Sequence, residues 1–495
     1  MADIRSDTPR AEPCLGWRLA VTFAVVALLF FAPSPQSMAL NILDLAMSLV
    51  DHGSLELHEH RGVDIAMRDG KVLSGMPPGA SFVAAGVYFL ARPALLLLLP
   101  PASRLTALNL LCTLLIGLPA AAATVYLVYR ICLAWGTPRR NALLTAALFG
   151  FGTMHFGYAT GYDKKILAGF CLLWAFWLLV RLRTPTLGWS RALAAGALTG
   201  LAIGQDYPTV AIALPLGGYL LTRHPRPGAL LAFVGASGVA LLPILIYHQM
   251  AFGSPWVTAY QFRTEPTGNT VGFPQAEAFL FLLVTLTASS PCLLWSARGW
   301  WRTLRARQWR AEMWTVAGVV GTTLLLISCW VNYYPHDASF PSRLILPLVP
   351  FAALPAVFGL PERLDRAALA VIAWSVGTTL LATQATLIPT GTIPPVYALK
   401  VLGTSWGAGP FFSETLGRWL GLPTLHLLIS QGAVSARDLL HAKNHSLLVA
   451  AILGQALIKT LSLLATIVAG AMLWWFVWRP VLHPATTSPS QSITR

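Results

Sequence analysis

The feature that most constrains this chain is a series of apolar segments that recurs along almost its whole length. Most of them approach the roughly 20 residues that a helix needs to cross a bilayer. They lie near residues 17–33, 105–129, 141–159, 166–182, 191–205, 208–222, 228–250, 276–296, 313–332, 343–360, 367–388 and 460–478. A further apolar stretch at 79–99 is ambiguous because prolines interrupt it. The pattern predicts an all-α, polytopic membrane protein with about 12 to 14 helices and a long first extracytoplasmic loop.

Composition and charge agree with this fold class. Of the 495 residues, 56% are hydrophobic and only 11% are charged, which argues against two or three soluble domains. The net charge of +15 does not indicate nucleic acid as a partner, because the basic residues form short clusters between apolar runs. Such clusters follow the positive-inside rule of membrane proteins.

The basic clusters also predict the topology. We expect the links that carry them to be cytoplasmic, and these links are 130–140, 181–191, 223–227, 298–310 and 363–366. The loop at 35–78 then lies outside, so residues 79–104 must cross the membrane an even number of times. A bent or re-entrant hairpin satisfies this count, and a miscounted span elsewhere is the alternative.

The loop at 35–78 is rich in Asp, Glu and His and ends in a Pro-Pro-Gly turn. Carboxylates at the membrane face can meet a lipid-borne substrate without being buried among acyl chains, so the loop predicts a reaction centre. The apolar residues around Asp44 favour an interfacial helix with Asp44, Ser48 and Asp51 on one side. A solvated helix face is the alternative interpretation of Asp44, and a helix cap is that of Asp64.

Six motifs occur in a fixed order along the chain: DLAMSLVDHGSLEL, DIAMRDGKVLSGMPPGASF, FGTMHFGYATGYDKK, GLAIGQDYP, YHQMAFGSPWVTAYQF and PSRLILPLVPF. In this order, over residues 17 to about 360, the chain resembles the bacterial GT-C glycosyltransferases, which include relatives of protein mannosyltransferases and of aminoarabinose transferase. The resemblance implies a catalytic module at 1–360. Beyond it, hydropathy and the basic links alone predict C-terminal helices at 361–495 with an extracytoplasmic loop near 389–459.

What the resemblance implies is transfer of a sugar from a polyprenyl-phosphate donor to a lipid-linked or cell-envelope glycan acceptor, by an inverting displacement at the outer face of a bacterial inner (plasma) membrane. The reaction needs a carboxylate base for the acceptor proton and cations for the phosphate leaving group. Asp44 and Asp64 match the family's acidic loop positions and are the predicted catalytic residues. The predicted substrate-binding residues are Lys71, Asp163, Lys164, Lys165, Asp206, His336, Asp337 and Arg343.

The chain departs from the family pattern at two places. Gln36, Ser37 and Met38 stand where many members carry an acidic pair, and Met76 stands where many carry a phosphate-binding lysine. Lys71 or the Lys164–Lys165 pair is expected to substitute for that lysine.

Several alternatives stay open at the outer helix ends. Asp163, Lys164 and Lys165 also fit charges that mark a membrane interface, and Asp206 fits a helix cap. Arg343 is unfavourable at a helix N-terminus, which indicates an anionic ligand, but it also fits stacking on a nearby aromatic ring.

No cofactor is certain from the sequence. A Glu-x-His-Glu-His run at 56–60 leaves a divalent cation open, although the spacing does not define a metal site. A transporter or flippase of lipid-linked sugars is a second function class, and it would place its charges near the bilayer midplane. An O-antigen ligase or polymerase is a third, with key arginines in the loop at 389–459.

Overall fold

The computed structural model describes residues 12–30, 37–58, 64–180, 189–223, 227–263, 272–329, 343–385 and a few residues between 467 and 472. The predicted loop at 389–459, His336 and Asp337 lie outside these ranges. The described residues form seventeen α-helices and one two-stranded sheet. The helices are α1 Glu12–Leu29, α2 Ser37–Asp51, α3 Gly79–Leu98, α4 Pro101–Cys112, α5 Leu118–Ala134, α6 Arg139–Gly152, α7 His155–Ala159, α8 Lys164–Val180, α9 Trp189–Gln205, α10 Val210–Arg223, α11 Pro227–Phe252, α12 Ala276–Ser289, α13 Leu294–Arg305, α14 Arg310–Ser328, α15 Val349–Ala353, α16 Ala356–Gly359 and α17 Arg366–Ala385.

The predominance of helix is as predicted from the apolar runs. Within the part of the chain that the structure describes, four helical stretches are long and apolar enough to cross a membrane: Gly79–Leu98, Ser103–Ala134, Pro227–Phe252 and Arg310–Ser328. Shorter apolar helices lie at Leu15–Leu29, Arg343–Ala353 and Arg366–Gly377. The full count of crossings stays a prediction.

The ambiguous segment after the first loop forms a helical hairpin. The chain turns at Leu99 and Pro100 between α3 and α4, and a π-helical turn at Thr113–Gly117 joins α4 to α5. Gly79 at the start of the hairpin lies against the backbone of Gly204, and Gly117 at its end lies against Gly161 and Tyr162. Gly204 and Gly161 each stand two residues before a predicted substrate-binding aspartate. The hairpin, residues 79–117, therefore starts and finishes at the same end of the bundle, while an even number of membrane crossings by residues 79–104 stays a prediction.

Charged residues lie at both ends of the bundle, and α10 runs from one end to the other. Asp206 lies just before α10, and Arg223 at its other end binds Glu312 near the start of α14 with an Nη2–Oε2 distance of 2.9 Å. α14 runs back beside α10, since Thr322 donates a hydrogen bond to the carbonyl oxygen of Ala211. A helix of 14 residues is about 20 Å long. Asp206 and Arg223 therefore lie near opposite ends of the bundle.

The first loop contains the α2 helix that the sequence indicates and a β-hairpin that it does not. Strand β1, Ile65–Arg68, pairs antiparallel with β2, Lys71–Ser74. The two-residue turn consists of Asp69 and Gly70, which both have positive φ, and Asp-Gly is favoured in such hairpin turns. Strands of four residues are too short to give a clear alternating pattern, which is why the sequence alone did not reveal them.

A small second core fixes this loop on the bundle. Its buried members come from α2, the β-hairpin and the end of α11, and include Leu45, Leu73, Tyr247 and Phe252. The main core fills the space between the long helices. The first loop is therefore packed against α11 and the segment that follows it.

Candidate active site

Three charged side chains meet inside the bundle where α8 begins and α9 ends. Nζ of Lys164 lies 3.0 Å from Oδ1 of Asp206, and Nζ of Lys165 lies 3.0 Å from Oδ2. Their side chains are only 2%, 2% and 1% exposed. This burial is inconsistent with lysines that only mark a membrane interface. The side chain of Asp206 caps no helix, and its carboxylate forms ion pairs with the two lysines instead.

Asp163 shapes the start of α8 from the same place. Its Oδ1 accepts a hydrogen bond of 2.6 Å from the backbone N–H of Lys165, as a helix-capping carboxylate does. Burial raises the pKa of Asp163 above its ordinary value, although the nearby charges of Lys165, Lys164 and Arg343 oppose the shift. Burial would also raise the pKa of Asp206, but the two lysines hold it below the ordinary value. Asp206 is therefore the anionic partner of the lysines, while Asp163 caps the start of the helix that carries them.

Asp64 pairs with an arginine that the sequence pattern did not indicate. Nη1 of Arg263 lies 3.6 Å from Oδ1 of Asp64, and Nε of Arg263 donates a hydrogen bond of 3.0 Å to the carbonyl oxygen of Gly75. Nη2 lies 3.5 Å from the sulfur of Met76. A cation therefore lies beside Met76, where the family resemblance led us to expect a lysine.

Tyr260 connects the two groups of charges. The guanidinium of Arg263 lies 4.4 Å from its ring centre. Burial raises the pKa of Tyr260 to about 12, and the charges of Arg263, Asp206, Lys165 and Asp64 all act on its hydroxyl. Tyr260 thus contacts Arg263, the partner of Asp64, and packs on Tyr207, which directly follows Asp206 in the chain.

Helix α2 presents a polar face to this region. Asn41, Asp44 and Ser48 recur at intervals of three and four residues, which places them on one side of a helix, and all three are buried. Nδ2 of Asn41 donates a hydrogen bond of 2.6 Å to the carbonyl oxygen of Asp64. The Oδ1 of Asn41 and the Oγ of Ser48 have no hydrogen-bond partner among the described residues. At 3% exposure, Asp44 is not on a solvated helix face, and Asn41 ties its helix to Asp64.

The remaining predicted residues are placed as follows. Lys71 is exposed beside the tight turn of the β-hairpin, opposite Arg68. Arg343 begins a 3-10 turn at Arg343–Leu348, and its charge acts on Asp163. His336 and Asp337 lie outside the described residues, as do Trp330, Tyr333 and Tyr334, the aromatic residues on which Arg343 could stack.

No group of three or more His, Cys, Asp or Glu side chains is placed to hold a metal ion within the residues that the structure describes. The rings of His52 and His58 lie 4.0 Å apart in the first loop, and Glu59 and His60 fall outside the described ranges. A divalent cation at the Glu-x-His-Glu-His run therefore stays an open alternative.

The sequence contained one signal for the missed arginine. Arg263 directly follows the quoted motif YHQMAFGSPWVTAYQF, but it is 199 positions from Asp64, so their pairing is a product of the fold. In the same region Tyr207 and Nε2 of His248 are hydrogen-bonded at 2.6 Å, and the ring of Tyr207 packs on that of Tyr260.

This arrangement has the parts that acid–base chemistry on an anionic substrate requires. It contains buried carboxylates that can accept a proton, and cations that can neutralise a phosphate. Each ammonium group has three N–H donors, so a lysine bound to a carboxylate retains donor capacity for an anion. Burial strengthens such interactions because the local dielectric is low.

Comparison with known proteins finds structural similarity at low sequence identity and no match by sequence. No protein-family profile matches the chain, and no curated protein sequence matches it. Among solved structures, the oligosaccharyltransferase AglB from Archaeoglobus fulgidus in complex with an inhibitory peptide and a dolichol-phosphate aligns with a TM-score of 0.42 at 11% identity, over 82% of this chain and 60% of that one. The apo form of an oligosaccharyltransferase from the same organism aligns with a TM-score of 0.41 at 11% identity, over 80% and 59%. This chain thus spans about 60% of the length of those proteins, and no residue role passes from them at this level of similarity.

Proposed function

We propose that this protein is a membrane glycosyltransferase that moves a sugar from a polyprenyl-phosphate donor to a lipid-linked or cell-envelope glycan acceptor at the extracytoplasmic face. The single observation that carries the proposal is the buried cluster of acids and cations between the first loop and the starts of α8 and α10. The family resemblance of the sequence motifs supports the same chemistry.

In the proposed reaction, the acceptor hydroxyl attacks the anomeric carbon of the donor. Asp44 or Asp64 takes the acceptor proton as the new C–O bond forms, and the bond between the anomeric carbon and the phosphate oxygen breaks. The electron pair stays on the phosphate, where Lys164, Lys165, Arg263 and Arg343 stabilise the developing charge. No external oxidant or reductant is needed, because the reaction is a displacement.

The placement of the charges favours an enzyme over a transporter. A transporter of lipid-linked sugars is expected to hold its charges near the bilayer midplane on broken helices. Here Asp163, Lys164 and Lys165 lie at the start of α8, and Asp206 follows the end of α9. The O-antigen ligase alternative rests on the segment 389–459, which is outside the described residues, and stays open.

Mass spectrometry of membrane lipids from strains with and without the gene tests this function. We expect the strain without the gene to lose a glycosylated product and to accumulate a polyprenyl-phosphate sugar. In intact cells, a membrane-impermeant oxidant such as periodate should modify the accumulated donor, because a glycosyltransferase acts after the donor has reached the outer face. A donor that accumulates but is protected from periodate would instead indicate a flippase, and an unchanged lipid profile would contradict the proposal.

A further inference from the structure

We propose that α13 and the residues around it form a binding surface for anionic phospholipid headgroups, at the end of the bundle opposite the candidate active site. The surface, called here the α13 surface, consists of Arg298, Arg302, Arg305, Arg307 and Arg310 together with the exposed rings of Trp301 and Trp314. The inference is independent of the proposed function.

The charge of the α13 surface has one sign. All five of its arginines are exposed, and residues 294–311 contain no acidic residue. The next acid, Glu312, is fully buried and binds Arg223 through two contacts of 3.0 and 2.9 Å. Glu312 is therefore already paired with a cation and does not neutralise the arginines of the surface.

The apolar side chains of the surface identify the partner as a membrane. Ser296, Gly299 and Thr303 form the buried side of α13, while Leu294 and Trp301 are 57% and 54% exposed. The guanidinium of Arg305 lies 4.4 Å from the ring centre of Trp301. A basic helix with exposed tryptophan and leucine is typical of an element that lies in the plane of a membrane interface.

Neighbouring elements extend the surface and fix its position. Nη1 of Arg302 contacts the carbonyl oxygen of Phe358 at 3.4 Å, and Nη1 of Arg140 contacts that of Glu362 at 3.0 Å. The basic start of α6 therefore lies beside α13 at the segment 358–362. Since Glu312 and Arg223 lie at this end of α10 and Asp206 lies at the other, the α13 surface is separated from the candidate active site by the length of a helix.

The charge of the α13 surface and its exposed apolar side chains together favour an anionic phospholipid as its ligand. Each basic residue near an anionic leaflet raises the affinity for that leaflet about fivefold, and the attraction weakens as the salt concentration rises. A soluble phosphate compound offers the same charge but leaves Leu294 and Trp301 in water. A headgroup with its attached acyl chains satisfies both the arginines and the apolar side chains.

Native mass spectrometry of the full-length protein in detergent, with equal amounts of phosphatidylglycerol and phosphatidylcholine, tests the proposal. We expect the wild type to retain phosphatidylglycerol preferentially, and the double variant Arg298→Gln/Arg305→Gln to lose on the order of 25-fold of that preference. Arg302 is left in place because it contacts Phe358. The matched control is Arg191→Gln/Arg366→Gln, which removes two exposed arginines from other predicted cytoplasmic links and should keep the preference.

Three outcomes of the retention measurement would overturn the proposal. They are equal retention of the two lipids by the wild type, an unchanged preference in the Arg298/Arg305 variant, and an equal loss in the control. Excess glycerol phosphate should not displace the lipid, and displacement would mean a site for soluble anions. If the double variant does not fold, the salt dependence of the wild type tests the proposal. The preference of the wild type for phosphatidylglycerol should decrease as the salt concentration is raised from about 0.05 M to 0.5 M. A preference that salt does not change would contradict the inference.

Discussion

At the scale of single residues, burial separates charges that bind or react from charges that only mark a helix end. Lys164, Lys165 and Asp206 stand at helix boundaries, where exposed charges are inexpensive, yet the fold buries all three almost completely. Buried charges are costly unless they are paired, and removal of one partner typically costs about 3 to 5 kcal/mol. Buried charges at the end of a helix bundle indicate that function, and not stability, retains them. We propose that their function is to bind a phosphate.

Asp44 and Asp64 are the first residues to test. Replacement of a general base by its amide keeps the side-chain size but removes the proton acceptor, so we expect Asp44→Asn and Asp64→Asn to lower the transfer rate about 100- to 10,000-fold. Quantified glycosylated product in membranes, normalised to inserted protein, is the measurement.

Asp69 supplies the matched control for these two variants. It lies in the same loop, its side chain is 81% exposed, and its positive φ is one that Asn tolerates well. Asp69→Asn should therefore retain activity. Wild-type amounts of product from both Asp44→Asn and Asp64→Asn would eliminate the carboxylates of the first loop as bases.

The lysine pair requires a different design, because removing both lysines leaves Asp206 buried without its cations. Lys164→Met keeps the bond between Lys165 and Asp206 and removes one cation. Loss of one charge-assisted contact costs roughly 1.5 to 3 kcal/mol, so we expect the apparent donor requirement to rise about 10- to 150-fold. Titration of donor in membranes that contain the variant measures this shift.

Two further variants complete the test of the cations. Arg343→Ala should raise the donor requirement in the same way. Lys71 was predicted from the sequence to bind substrate, but it is exposed beside the β-hairpin turn and not in the buried cluster, so we now expect Lys71→Met to change the requirement little. The same donor dependence in wild type, Lys164→Met and Arg343→Ala would leave these cations as structural partners of Asp163 and Asp206.

At the scale of elements, the sequence predicted most helices but not the contacts that assemble the site. Apolar runs indicated α5, α11 and α14 because a long segment in a membrane satisfies its backbone only as a helix. The interfacial helix α2 was indicated by its polar and apolar sides. The β-hairpin and the pairing of Arg263 with Asp64 were not predicted, because both depend on short segments brought together by tertiary packing.

The crossing of α13 and α16 depends on two glycines. A Cβ atom at Gly299 would overlap the carbonyl oxygen of Pro355, and one at Gly359 would overlap that of Trp295. We therefore expect Gly299→Ala to lower the stability by about 1 to 3 kcal/mol, the usual cost of overpacking. Thermal unfolding in detergent measures the loss.

Gly321 in α14 is the control for this crossing, since a Cβ atom added there would have no neighbouring atom within 4 Å among the described residues. At this position, alanine should be neutral or stabilise the helix by up to about 1 kcal/mol. Equal melting temperatures for Gly299→Ala and Gly321→Ala would mean that α13 and α16 do not cross at so close a distance.

At the scale of the whole molecule, two chemically different surfaces occupy opposite ends of the bundle. The candidate active site combines acids and cations in a buried cluster, whereas the α13 surface exposes arginines together with apolar side chains. The positive-inside rule predicts that these arginines lie at the cytoplasmic face, and we therefore propose that the cluster lies at the outer face. The whole account therefore depends on a membrane lying between them.

Cysteine labelling tests this arrangement. His58 in the first loop and Gln308 beside α13 are both exposed. The native Cys112, Cys132 and Cys292 are buried, and the variants are made in a background in which Cys14, Cys171 and Cys329 are replaced by alanine. In intact cells, His58→Cys should react with a membrane-impermeant maleimide, and Gln308→Cys should react only after the membrane is opened. Labelling of both positions from outside would contradict the topology.

Photo-crosslinking with a photoreactive analogue of undecaprenyl phosphate tests the central claim most directly, because it asks where the full-length protein binds a polyprenyl phosphate. The account predicts adducts in the peptides that carry residues 64–82 and 247–263, with competition by unlabelled undecaprenyl phosphate and weaker labelling of Lys164→Met. Adducts confined to other parts of the chain, or labelling of these two peptides that undecaprenyl phosphate does not suppress, would contradict the account.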